Sequence, residues 1–337
     1  MRYGKFHALE RGNDLWSDWT EIGLEIADFE VGDGCCELQI QVGRRSGGFP
    51  CVTIDWGDGR IESQTTYLAK HEYAKAGRYF VRIGPEARWF RVWDCYAVSK
   101  DGRRRLVCRP RMRLYRWSDW LDSAEGSFCG WSDPTHGGLT GPVPRWGRSM
   151  TNTRCCYEAC MDIEGGFPEW TDAITDATGT FQDSSLSGPV PRWGENVAKA
   201  SFCYSNCNVR GRFPAWPSGC TECASCYRNA RGLTGPLPPW PVGATSLDGT
   251  YEGCTGATGK IPAWPASVES VSRCYFGCTG LTGAWTEDPA ELMPEAKLVY
   301  PPGSGNVRCF DAVTGASDAL RSLFWDRNWG GTIPRPQ

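Results

Sequence analysis

The chain has 337 residues and a formal charge of −3; that is length enough for two or three domains with a proper core, and too little charge for an electrostatically driven partner such as duplex nucleic acid. Its 41 Gly, 23 Pro, 17 Trp and 18 Cys argue against an ordinary helical bundle and for many short elements joined by turns. Residues 1–19 carry no apolar run of signal-peptide length, and no later stretch approaches the roughly 18 apolar residues of a membrane span, so neither a membrane span nor an export signal is expected.

Residues 20–95 are expected to form a first domain. CVTIDWGDGRIESQTTYLAKHEYAKAGRYFVRI at 51–83 alternates strand-like runs with an Asp-Gly turn, a hairpin-rich β pattern. Asp55, Trp56, Gly57, Asp58, Gly59, His71, Tyr73, Gly77 and Tyr79 resemble the signature of PKD-like immunoglobulin-type domains. That resemblance implies a β-sandwich and says little about function. Asp55 and Asp58 also suit a carboxylate pair or calcium ligands, but turn formation explains them more simply. At 96–116 a linker or capping strand is expected, because Arg109, Arg111 and Arg113 alternate with Pro110, Met112 and Leu114. Such a strand has one basic face, either merely solvated or facing an anionic partner.

From 117 to 285 the chain repeats with a period of about 23 residues. Trp117, Trp146, Trp170, Trp193, Trp216, Trp240 and Trp264 are each followed eleven residues later by an aromatic, Phe128, Tyr157, Phe181, Tyr204, Tyr227, Tyr251 and Tyr275. Small or apolar residues recur four and seven after each Trp, as at Ile174 and Ala177 or Val268 and Val271. Offsets of zero, four, seven and eleven trace one stripe of a helix, so a short helix is predicted there, with Gly179 and Gly249 as awkward members. The Leu-Thr-Gly-x-apolar-Pro segments that follow, as at Leu139–Pro144 and Leu233–Pro238, read as short strands stopped by proline. One unit cannot bury its stripe alone, so the copies are expected to stack as a solenoid. Residues 286–337 read as a degenerate repeat and cap, with Phe324, Gly331, Ile333 and Pro334 as the traces of a further copy.

CYFGCTGLTGAW at Cys274–Trp285 and CYEACMDIEGGFPEW at Cys156–Trp170 resemble the BspA-like leucine-rich repeats of bacterial surface proteins. The likeness covers 117 to about 285 and departs from the pattern by the Gly-x-Ile-Pro ending and by Cys before the aromatic. The expected fold is therefore multidomain: an N-terminal all-β sandwich followed by an α/β leucine-rich-repeat-like solenoid of short strands and short helices. The resemblance implies binding and adhesion, with a setting on a cell surface or a phage particle.

The three histidines, His7, His71 and His136, neighbour no nucleophile motif, so no catalytic residue, enzyme activity or cofactor is expected. Cys-x-x-x-Cys at 156/160, 203/207 and 274/278, with Cys220, Cys223 and Cys226, is the rival signal. These cysteines fall on repeat positions that other copies fill with Thr, Ala or Val, which favours buried small side chains over a metal set, while disulfides remain open. Outward positions of the solenoid cluster charge at Arg145, Glu169, Arg192, Arg210 and Arg212, the candidate ligand-binding residues. The function expected is non-enzymatic recognition of a protein or glycan on a cell surface, without nucleic acid; the alternative is a Cys-rich metal-binding or redox protein.

Overall fold

A computed structural model describes residues 18–26, 35–43, 51–98, 104–105, 110–130 and 138–284. The expected N-terminal segment up to Ser17, most of the insertion in the first repeat with His136, and the degenerate repeat from Trp285 onward lie outside the described residues.

Strands with an apolar residue at every second position need a covered face, and the first part of the chain satisfies that need with two sheets. One contains β1 (Thr20–Ile26), β3 (Val52–Asp55), β4 (Ile61–Gln64), β6 (Gly77–Ile83) and β9 (Arg111–Arg116); the other contains β2 (Cys35–Gly43), β5 (Leu68–Tyr73), β7 (Trp89–Val98) and β8 (Arg104–Arg105). Leu24, Leu38, Ile40, Val52, Ile54, Val81, Phe90 and Val92 are buried in their common core.

The segment expected as a linker or capping strand contains β9, which lies between two other strands. β9 pairs antiparallel with β1, Leu24 opposite Met112, and parallel with β10 (Gly138–Leu139), Leu139 opposite Met112. Its buried Met112 and Leu114 face the core, while Arg111 is exposed and Arg113 lies over the Tyr115 ring. The second sheet is continued as well: Trp89 of β7 bridges Ser123, and the row runs on through Asn152, Asp176, Lys199, Glu222 and Ser246 to Ser270.

From Trp117 the chain winds as a solenoid, each coil starting at one of the repeat tryptophans. The Leu-Thr-Gly segments supply its parallel strands: β11 (Gly141–Pro142), β12 (Ile163–Glu164), β13 (Ser187–Pro189), β14 (Asn208–Arg212), β15 (Gly232–Pro236), β16 (Ala257–Ile261) and β17 (Leu281–Ala284).

No helix occurs among the described residues, so the expected α/β leucine-rich-repeat-like solenoid of short strands and short helices is corrected to an all-β solenoid. The segment read as helix is a pair of tight turns. Within one coil Cys156 N donates to Thr153 O at 3.0 Å and Cys160 N to Tyr157 O at 3.2 Å. The alternate amides cross to the next coil: Thr153 to Asp176 O, Cys155 to Thr178 O, Tyr157 to Thr180 O and Ala159 to Gln182 O, at 2.8 to 2.9 Å. A helix would bond these amides four residues back along its own segment. The chain turns away from that path through left-handed residues nine and thirteen after each Trp, such as Cys155 (φ 50°) and Ala159 (φ 56°), or Gly249 (φ 60°) and Gly253 (φ 73°). The two awkward glycines, Gly179 and Gly249, thus occupy positions where only a residue without Cβ is free of strain.

Two aromatic columns fill the solenoid. The second aromatic of each coil stacks on the next, Phe128–Tyr157–Phe181–Tyr204–Tyr227–Tyr251–Tyr275, with ring centroids 5.7 to 6.1 Å apart. The tryptophans from Trp117 to Trp240 stack alongside at 5.3 to 6.1 Å. Burying an indole also buries its N–H, which needs an acceptor. Five are met by the tyrosine of the following coil: Trp117 to Tyr157, Trp170 to Tyr204, Trp193 to Tyr227, Trp216 to Tyr251 and Trp240 to Tyr275, at 2.8 to 3.1 Å. Burial holds the Tyr157, Tyr204, Tyr227 and Tyr251 phenols well above their ordinary range, so they stay neutral acceptors.

Candidate functional site

The Asp-Trp-Gly-Asp-Gly segment after β3 builds a turn. Asp55 accepts the Gly57 amide at 2.9 Å and pairs with Arg82 at 3.0 Å, while Asp58 accepts the Arg60 amide at 3.1 Å and His71 Nε2 at 2.9 Å. His71 stacks on Trp56 at 4.7 Å, and the buried Tyr73 hydroxyl donates to Trp56 O at 2.9 Å. Partial burial pushes the Asp58 carboxyl up, but the hydrogen bonds from His71 and the Arg60 amide outweigh it and hold the group below its ordinary value. Each carboxylate is thus spent on the turn or on a cross-strand partner, and each of these contacts ties the turn to the sandwich.

Eight of the repeat cysteines stand in two buried columns. Ten residues after the Trp stand Ser127, Cys156, Thr180, Cys203, Cys226, Thr250 and Cys274; fourteen after it stand Cys160, Ser184, Cys207, Ala230, Cys254 and Cys278. In the second column the thiols of Cys160, Cys207, Cys254 and Cys278 donate to the aromatic residue's carbonyl in the preceding coil, at 2.8 to 3.1 Å. Burial pushes Cys207 and Cys278 up to about 12 and holds Cys156, Cys203, Cys226 and Cys254 well above their ordinary value, which keeps them protonated. Among the described residues no group of three or more His, Cys, Asp and Glu is placed to hold a metal ion. Two thiol pairs are close, Cys36–Cys95 at 3.4 Å in the sandwich and Cys220–Cys223 at 3.8 Å in the solenoid.

The five charged residues picked from the repeat are exposed and fall into two sets. Arg145, Glu169 and Arg192 each precede a core tryptophan, one coil apart, and Arg210 and Arg212 lie on β14. Arg145 reaches Asp119 at 3.4 Å and Arg192 reaches Glu195 at 3.2 Å; among the described residues Glu169, Arg210 and Arg212 have no ion-pair partner, and no bond joins any two of the five. A shallow groove runs beside Arg192 and Glu195 toward Trp216 and Ser218 of the next coil.

A second groove was not legible from the charge pattern. It lies at the corner leading into β14 and β15, between Asn206 and Asn208 of one coil and Asn229 and Arg231 of the next, with Gly232 as its floor. Asn206 and Asn229 are left-handed, with φ of 58° and 59°, and their side chains bond in a row: Asn229 Nδ2 donates to Asn206 Oδ1, and Asn206 Nδ2 to Asp183 Oδ1, each at 2.7 Å. Asn at one repeat offset in consecutive copies was the signal available in the sequence.

Among the described residues no helix is long and apolar enough to cross a membrane. No protein-family model, curated protein or solved structure matches the chain.

Proposed function

We propose that the protein is a non-enzymatic recognition protein that engages a surface target through the outer side of its solenoid, in the expected setting of a cell surface or phage particle. The carrying observation is the division of labour in each coil. Trp, Tyr, Cys and Thr are locked inside by stacking and hydrogen bonds, while the outward residues change from coil to coil without disturbing the core. A rigid stack with interchangeable outer residues is how solenoids present extended binding faces. Arg145, Glu169, Arg192, Arg210 and Arg212 are the proposed ligand-binding set. Their exposure supports this, since guanidinium groups are favoured anchors in recognition surfaces.

The test is binding of the purified protein to a panel of bacterial cells and glycans. Arg145→Glu with Arg192→Glu is expected to lower binding at least about tenfold with an unchanged melting curve. Full retention of binding by the folded double variant would refute the assigned face.

A further inference from the structure

We propose that the corner formed by the fourth and fifth coils binds an acidic polysaccharide, Arg210, Arg212 and Arg231 taking its carboxylate or sulfate groups and Asn208 and Asn229 its hydroxyls. The proposal rests on the recognition reading above and names the chemistry of its ligand.

The first argument is charge left over. In the same solenoid Arg145 and Arg148 reach Asp119, Arg192 reaches Glu195, and Arg228 and Arg273 both reach Glu252. Arg210, Arg212 and Arg231 are exposed and have no carboxylate partner among the described residues, in a chain with 39 acidic and 36 basic residues. In the row beside them Asp183 accepts a hydrogen bond from Asn206 and pairs with none of the three. Three guanidinium groups, two on β14 and one just before β15, therefore face solvent without an ion-pair partner among the described residues, and an anion is the complement they lack.

The second argument is shape. Gly232 sits so close to β14 that a Cβ on it would lie 2.3 Å from the Val209 carbonyl oxygen, so the floor stays bare backbone, and the Arg210 side chain runs within 3.2 Å of that same position. Asn208 and Arg231 stand on either side, and the Asn229 carboxamide is held in place by its bond to Asn206. The groove is thus preorganised at its amide wall and open at its charged rim.

The third argument is the mixture of groups. Guanidinium forks take carboxylate and sulfate in bidentate fashion, and a carboxamide offers a hydroxyl both a donor and an acceptor. An acidic sugar presents both. A single-stranded nucleic acid would call for aromatic platforms beside the charges, and none of the groove residues is aromatic. The three guanidinium groups are divided between two adjacent coils, strands of which lie about 4.8 Å apart, which suits a polymer carrying several anionic groups better than a single small anion.

The experiment is titration of the intact protein with four probes: alginate oligosaccharides for carboxylates alone, heparin oligosaccharides for sulfates beside carboxylates, dextran as a neutral glycan and oligothymidylate as a polyanion whose deoxyribose rings carry no free hydroxyls within the chain. Binding of alginate or heparin that weakens with salt is expected, the preferred probe identifying the anionic group. Arg210→Ala with Arg231→Ala should weaken it roughly 10- to 100-fold, Asn208→Ala less, with Arg231→Lys retaining part of the affinity and all variants melting as the parent does. Dextran or oligothymidylate bound as tightly as the acidic glycans would overturn the proposal, as would a folded double variant of full affinity. Cell binding without acidic-glycan binding would remove this proposal alone; loss of both would remove the recognition reading with it.

Discussion

At the scale of single residues, one position breaks the hydrogen-bond rule of the core. Trp146 is buried, yet its Nε1 finds no partner among the described residues, because the following coil carries Phe181 where its neighbours carry tyrosine. Phe181→Tyr places a hydroxyl where Tyr157, Tyr204 and Tyr227 already hold one, so it is expected to stabilise the fold by about 1 kcal/mol, read as a raised denaturation midpoint. A lowered midpoint would mean that the column has no room for the oxygen. Asp58 permits a second prediction, in pH. Its carboxyl is held below the ordinary value, so its contribution is present above the unfolded-state value of about 3.9 and is lost as pH falls through the lower, folded one. Asp58→Asn should flatten that part of the acid limb of a stability-against-pH curve, and an unchanged limb would show that His71 and Arg60 exert no such pull.

At the scale of elements, the sequence revealed the strands and the period but misread the segment between. Leu139, Leu233 and Leu281 alternate with polar residues and are followed by turn or proline signals, and they stand in or beside strands. Offsets of four, seven and eleven from Trp193, at Val197, Ala200 and Tyr204, are buried as a helical stripe would be, so burial alone cannot tell the two backbones apart. What distinguishes them is where the amides go, and bonds to the next coil are invisible to a reading of one segment at a time. The sign was present in the offsets nine and thirteen, where Gly126, Gly179, Gly249, Gly253 and Gly277 recur among Asn206 and Asn229. A substitution there separates the two pictures. In a helix interior Phe202→Ala is favoured over Phe202→Gly by about 1 kcal/mol; at φ 59° the order reverses, and the Gly variant is expected to be the more stable by about that amount. Chemical denaturation of the two variants decides it. The binding corner was partly legible for the same reason: Arg210 and Arg212 stood out as charges, whereas Asn208, Asn229 and Arg231 became neighbours of theirs only once the coil was closed by turns.

At the scale of the whole molecule, the sandwich and the solenoid share their hydrogen-bonded edges instead of meeting through a flexible joint. β9 gives one side to β1 and the other to β10, and Thr140 N donates to Met112 O at 2.7 Å. On the opposite side Val92 N donates to Ser127 O at 2.9 Å and the Trp89–Ser123 bridge begins the long row that ends at Ser270. Stacked repeats derive much of their stability from the interface with each neighbour, and an end coil needs a cap. Here the sandwich is the cap, so damage at the seam should be felt on both sides. Met112 is buried between Leu24 and Leu139, and Met112→Ala is expected to cost roughly 2 to 5 kcal/mol. Amide hydrogen exchange locates the loss: with a shared seam, protection falls together in β1 and in the first coils, at Thr140 and Ala124, and fades toward the coils of Trp216 and Trp240. Protection lost in β1 alone, with Thr140 and Ala124 unchanged, would make the two parts independent domains and leave the solenoid to cap itself.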